Sequence, residues 1–198
     1  MSERSGAVER VTRETAVRVE LALVPGQSSI ATGVGFFDHM LATLARHAGW
    51  RLGIEAEGDL QVDAHHTVED VGLALGTCLD RALGEREGLA RFGCAYAPLD
   101  EALARAVVDL SGRPFCRVGL PPELAYAFVT PAFPVTLAGE FWRALATRGR
   151  LTLHLDVERA VDPHHAVEAA FKAAALALRQ AVARVGEGVP STKGTLTE

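Results

Sequence analysis

Cysteine is scarce: Cys78, Cys94 and Cys116 are the only three in 198 residues, and no two of them stand as C-x-x-C. That count excludes a disulfide scaffold and a C-x-x-C redox or zinc motif, and it suits reduced thiols packed as small hydrophobes. Long apolar runs are missing too, so no segment crosses a bilayer without a charge. The opening "MSERSGAVERVTRET" lacks the apolar stretch of a secretory signal. A cytoplasmic chain with no membrane partner is therefore expected. Basic residues do not dominate: 20 Lys and Arg stand against 25 Asp and Glu, a formal net charge of −5. A surface devoted to nucleic acid is disfavoured, although a few local cations still suffice to hold a small anion. Neither H-E-x-x-H nor E-x-x-H occurs, which removes the zincin protease and the di-iron bundle from consideration.

What is present is an ordinary globular composition, 48% hydrophobic and 23% charged. The length fits one compact domain or two fused units of about 100 residues sharing a core. Apolar and polar residues alternate through "AVRVELALV" (16–24), a strand ending at Pro25-Gly26, and "FFDHMLATLARHAGW" (36–50) has helical spacing up to Gly49. "RLGIEAEG" and "LQV" read as a strand pair across Gly58-Asp59, followed by a long helix from His65 closed by Gly88. In the second part, "ALARAVVDL" and "FCRVGL" read as a hairpin across Ser111-Gly112, and "PPELAYAFVTPAFP" as an irregular connection. A helix "GEFWRALATRG", a strand "RLTLHLDV" and an Ala-rich helix from His164 closed by Gly186 complete the pattern. The expected class is mixed α/β (α+β).

The phrase "DAHHTVED" at 63–70 returns as "DPHHAVEA" at 162–169, with Asp63 and Asp162, His65 and His164, Glu69 and Glu168 each 99 residues apart. "RLGIEAE" and "RLTLHLD" share that offset, and "HMLATLARHAGW" aligns with "EFWRALATRG" after deletion of two residues. Chance in an Ala- and Leu-rich chain does not reproduce an identical D-x-H-H-x-V-E frame, so an internal duplication is inferred, with halves 1–92 and 93–198. Asp63 and Asp162 are natural N-caps, and Pro163 fits the first helical position. Residues four apart on a helix differ by about 40° and neighbours by about 100°. His65 and Glu69 thus share a stripe, while His66 points elsewhere. A single histidine near a helix start is usually a solvated polar turn; two copies of H-H-x-x-E supply four imidazoles and two carboxylates, a donor set for two divalent metals. His39 and His47 lie on a similar helix face within reach of one pocket, and His154 sits on the polar side of its strand. Arg113 in "DLSGRP" and Lys193 in "PSTKG" look like anion contacts.

"GVGFFDHML", "DAHHTVED", "DLSGRP", "HHAVEAAFKA" and "PSTKG", in this order and spanning nearly the whole chain, closely resemble the imidazoleglycerol-phosphate dehydratases of histidine biosynthesis. The resemblance implies a tandem duplication of a β-sheet-plus-two-helices unit like domain 2 of ribosomal protein S5, in a 24-mer homo-oligomer with active sites between subunits. It implies a monofunctional form, since this chain has no room for the phosphatase domain fused to some members. It further implies two Mn²⁺ per active site, held by His39, His65, His66, Glu69, His164, His165 and Glu168. The eighth family ligand is a histidine, and here that position is Glu140, an oxygen donor that Mn²⁺ accepts. Arg91, Arg113, Ser191 and Lys193 match the residues that hold the substrate phosphate, with Lys172 and His47 as neighbours. Glu14 in "VTRET" matches the acid/base, and Glu69 and Glu168 count as catalytic beside it. The implied reaction removes water from imidazoleglycerol phosphate to give imidazoleacetol phosphate, the substrate's own imidazole acting as the electron sink. The alternatives are a catalytically silent metal-binding paralogue of the same fold, for which Glu140 speaks, and a hydrolase of small phosphate esters.

Overall fold

A computed structural model describes residues 4–196. Their order is β1 (Ser5–Val11), β2 (Thr15–Ala22), β3 (Ser29–Ala31), α1 (Gly35–Ala48), β4 (Arg51–Gly58) and α2 (His65–Leu83), then β5 (Phe92–Leu99), β6 (Ala102–Asp109) and β7 (Phe115–Gly119). A two-stranded β8 (Phe128–Thr130) and β9 (Phe133–Pro134) precedes α3 (Thr136–Arg148), β10 (Thr152–Arg159) and α4 (Pro163–Ala181). Two four-stranded sheets result, ordered β1-β2-β4-β3 and β5-β6-β10-β7. In each, the first three strands are antiparallel and the fourth joins in parallel. The described residues form a mixed α+β fold with four α-helices. No helix among the described residues is long and apolar enough to cross a membrane.

Alternation explains the layering. Val17, Val19 and Leu21 of β2, and Ala104, Ala106 and Val108 of β6, turn one face of each sheet inward. The long helices α2 and α4 cover those faces, α2 on β1 and β2, α4 on β5 and β6. Each long helix then packs on the short helix of the other half, α1 against α4 and α2 against α3. Small residues permit the close approach: a Cβ on Gly93 of β5 would lie 1.9 Å from the carbonyl oxygen of Ala177 on α4. Phe37, Phe141, Trp142 and Phe171 interlock where α1, α3 and α4 meet. This crossed pairing carries the first turns of the long helices toward side chains of the opposite half.

Several local expectations give way to tertiary context. "LQV" is no strand: Leu60 and Val62 turn back through N–H donation to Gly58 and Asp59 and stay exposed. β7 does not form a hairpin with β6, whose two edges are taken by β5 and β10; it lies instead parallel to β10. The proline-bearing connection contains a 3-10 turn and the β8-β9 pair. Both long helices end before the expected glycines. α2 stops at Leu83, where Gly84 and Arg86 take positive φ; α4 stops at Ala181, because the following residues pair with 88–90 through a Leu89–Arg184 bridge. Polar sequence hid β1, whose side chains are largely exposed beside β2. Asp162 caps α4 as expected, accepting the N–H groups of His164 and His165, whereas α2 begins one residue later. There Ala64 is the N-cap, and Asp63 accepts only the His65 N–H, from outside the helix.

Candidate active site and metal centre

The crossed helices bring His39 of α1 to His164 and Glu168 of α4. Glu168 Oε2 lies 3.3 Å from His39 Nε2 and 3.1 Å from His164 Nε2, and one ligand atom from each of the three lies within 4.8 Å of the others. His164 is set by its place in the first turn of α4 and by an edge contact with Phe36, ring centres 5.1 Å apart. Lys172, one turn on, holds the other Glu168 oxygen at 2.8 Å. Burial works against ionisation of Glu168, but Lys172 and the two imidazoles outweigh it and hold the carboxyl down at about 2. Two imidazole nitrogens and one carboxylate oxygen form a donor set that suits a divalent transition ion.

The neighbouring imidazoles point elsewhere, as the 100° step demands: the rings of His65 and His66, and of His164 and His165, stand 86° apart. Each second histidine carries an acidic partner on Nδ1. His66 Nδ1 lies 3.0 Å from Asp59, and His165 Nδ1 lies 2.8 Å from Glu101. These hydrogen bonds raise the pKa of both rings. Glu101 also accepts the N–H groups of Asp162 and Val161, and with the His165 bond they bring its carboxyl down to about 2. A carboxylate on one ring nitrogen fixes the tautomer and leaves the other nitrogen free to ligate. Glu14, at the β1-β2 turn, lies 3.9 Å from His66 Nε2.

A third cluster gathers at the C-terminal segment. Arg91, Arg113, Ser191 and Lys193 line one cavity of about 590 Å³, together with Pro190 and Thr195. Arg91 donates to both oxygens of Asp109 and to the Pro190 carbonyl, tying the segment down. Gly112 adopts φ +77°, and a Cβ there would lie 1.7 Å from the Leu196 carbonyl oxygen. Gly112→Ala is therefore expected to displace the segment and, through loss of a charge-assisted contact of about 1.5–3 kcal/mol, to weaken inorganic phosphate binding about tenfold or more. Calorimetric titration with phosphate checks this.

Within one chain the sequence-derived residues fall into separate places. His39, His164 and Glu168 converge. His66 joins Asp59 and Glu14, His165 joins Glu101, and the four residues expected to hold the phosphate share their own cavity. Lys172 belongs with Glu168, not with the anion cavity. His47 parts from His39 and lines a cavity with Trp50, Leu176 and Arg179, where burial, then Lys172 and Arg46, lower its pKa. Glu140 is paired with Arg143 and is not part of the three-donor group; neither are His65 and Glu69, both half-buried on α2. His154 faces solvent beside Phe115. The sequence reading missed Asp59 and Glu101. Asp59 sits in the turn misread as a strand pair, and Glu101 is 64 residues from the histidine it orients, so no spacing pattern links them.

Comparison with known proteins bears on the family resemblance of the motifs. A family sequence model described as imidazoleglycerol-phosphate dehydratase matches residues 32–178. A protein of that description from Anaeromyxobacter sp. (strain Fw109-5) is 54% identical over 193 residues, 98% of this chain and 94% of that one. One from Halorhodospira halophila is 54% identical over 202 residues, 99% of this chain and 100% of that one. Among solved structures, the dehydratase from Staphylococcus aureus subsp. aureus N315 superposes with a TM-score of 0.82 at 35% identity, covering 91% of this chain and 99% of its own. The Pyrococcus furiosus enzyme, in complex with (S)-C348, gives 0.82 at 38% identity, with 96% and 100% covered.

Proposed function

Because the chain belongs to the imidazoleglycerol-phosphate dehydratase family, we propose that its separate clusters are pieces of one active site completed between subunits of a homo-oligomer. The enzyme is a hydro-lyase of histidine biosynthesis, and its substrate is a small phosphorylated imidazole. A catalytically silent paralogue of the fold is not favoured by relatives this similar. The observation that carries the site reading is the convergence of His39 from one half with His164 and Glu168 from the other. One chain gathers three donors there and leaves His66 and His165 at its surface, oriented by Asp59 and Glu101. Those two imidazoles are suited to complete the metal positions of neighbouring copies. The 99-residue offset and the shared element order support descent of the two halves from one duplicated unit in a cytoplasmic enzyme.

Two divalent ions, Mn²⁺ in this reading, are held by His39, His164 and Glu168 with a partner's imidazole, and by the counterpart set His65, Glu69 and Glu140. When bound, they supply Lewis acidity to the substrate's imidazole. The protein side does the rest. Arg113, Lys193 and Ser191 hold the phosphate, with Arg91 fixing the segment that carries two of them. Glu14, at a turn and within reach of His66, takes the carbon-bound proton and returns a proton as the hydroxyl leaves as water. The enol so formed becomes the ketone, imidazoleacetol phosphate.

The test is an assay of metal-stripped protein with imidazoleglycerol phosphate. Product formed only on adding Mn²⁺, with no phosphate released, is the expected result; phosphate release would make the enzyme a hydrolase, and no product with any ion would leave a silent paralogue. Glu101→Gln is expected to weaken metal retention by about 10–100-fold, the usual cost of losing an outer hydrogen-bond partner. Metal content after dialysis against a chelator series measures it.

A further inference from the structure

The two ion positions in this reading are not equivalents, and the difference lies in the residues around each. The structure makes Glu140 the positional counterpart of His39. α1 and α3 close their C-terminal ends identically, Trp50 donating to the Ala45 carbonyl and Leu151 to that of Ala146. Met40, Leu41 and Leu44 are buried on one helix where Phe141, Trp142 and Leu145 are buried on the other. Both registers place position 140 where 39 stands in the first half. The height on the partner helix agrees, since a Cβ on Gly72 of α2 would lie 2.8 Å from the Phe141 carbonyl oxygen, one turn beyond Glu69. By position on the packed helices Glu140 corresponds to His39, and His65 and Glu69 correspond to His164 and Glu168, but among the described residues only the His39 group has its ligand atoms gathered within 4.8 Å.

The surroundings diverge. His39 Nε2 faces Glu168 at 3.3 Å, and the residue one turn on is Ala42, which offers no competitor. The Glu140 carboxylate is instead taken by Arg143, through Nη2 and through Nε at 3.3 Å. Lys172, which holds the outer oxygen of Glu168, has Leu73 as its counterpart at the 99-residue offset. The first position is therefore nitrogen-rich and assembled. The second is oxygen-rich, and its third donor is engaged elsewhere.

We propose that His65, Glu69 and Glu140 form a latched second metal position, which takes an ion only when Glu140 leaves Arg143 and which prefers Zn²⁺ over Mn²⁺ less strongly than the His39 position does. Oxygen donors favour Mg²⁺ and Mn²⁺, whereas imidazoles favour Zn²⁺, Fe²⁺ and Ni²⁺. The latch is light: both partners are part-exposed, with 48% of the Arg143 side chain and 32% of the Glu140 side chain accessible. An exposed pair of this kind weakens ion binding by about fivefold at most. The inference rests on the two-metal reading, and the experiment separates the two.

Metal-stripped full-length protein is titrated calorimetrically with Mn²⁺ and, separately, Zn²⁺, with metal per chain counted by elemental analysis. Two unequal classes of Mn²⁺ site are expected. Arg143→Ala should tighten only the weaker class for Mn²⁺, by about two- to fivefold. Glu140→His should shift only that class toward Zn²⁺, by about tenfold or more. Both substitutions fall on part-exposed side chains, and circular dichroism confirms folding. Two indistinguishable classes, or a weaker class that neither substitution moves, would overturn the latched site and leave the two-metal reading standing. Absence of any Mn²⁺ binding would overturn both.

Discussion

Glu14→Gln is expected to lower kcat by about 10²–10⁴-fold, the usual share of a positioned acid/base, and to leave the metal content per chain unchanged. The substitution keeps size and shape but removes the negative charge and the carboxylate's capacity to take up and return a proton. The turn that carries residue 14 is well supported. Its N–H donates to Thr12 Oγ1, its carbonyl accepts the Asp59 N–H, and the adjacent Thr15 hydroxyl is bonded to the buried Asp70 on α2, which also accepts from Arg10 at 2.8 Å. Loss of activity therefore reports chemistry and not collapse of the turn. Glu14 approaches the outward-facing Nε2 of His66 but is no member of the three-donor group. Loss of metal in the variant would make Glu14 a ligand instead, and substantial residual turnover would remove it from proton transfer.

Glu168→Gln is expected to release the ion of the first position and to abolish turnover at ordinary Mn²⁺ concentration. Both carboxylate oxygens are in use, one facing His39 and His164, the other held by Lys172. The amide removes the only oxygen ligand and the only negative charge of the group, and turns an N–H₂ either onto the imidazoles or onto the ammonium. Loss of an outer partner costs about 10–100-fold in affinity, and loss of this inner ligand exceeds that. Elemental analysis after gel filtration should find the tight class of ion gone, and excess Mn²⁺ should restore activity only in part. Full retention of both ions would dissolve the metal centre as assigned to these residues. The consequences differ from those of Glu14→Gln in the metal count, so the two variants separate ion binding from proton transfer.

Local physics made much of this legible in the chain alone. Helix periodicity put His65 with Glu69 and His164 with Glu168 on one stripe and turned His66 and His165 away, because the 100° step is fixed by backbone hydrogen bonding and not by context. The cap at Asp162, the stop at Gly49 and the alternation of β2 and β6 follow from equally local rules. The repeated phrase carried the candidate donors, and Arg113 and Lys193 followed from their motifs, while Ser191 came only from the family resemblance.

What only the tertiary structure decided is who meets whom. Strand alternation states which face is buried but not which edge is paired, so β7 joined β10 in parallel where a hairpin with β6 was expected. Apolar stripes state that a helix packs but not on which partner, and α1 chose α4 of the other half, sending His39 to His164 and Glu168 instead of to the histidines of its own half. The orienting acids Asp59 and Glu101 reach their histidines only through the fold, whereas Glu140 with Arg143 and Glu168 with Lys172 are local pairs one turn apart on their own helices. The sequence by itself determined the kinds of donor and the faces they occupy. The division of those donors into one assembled ligand group and several outward-facing pieces was decided by burial of complementary surfaces far apart in the chain, which no local pattern encodes.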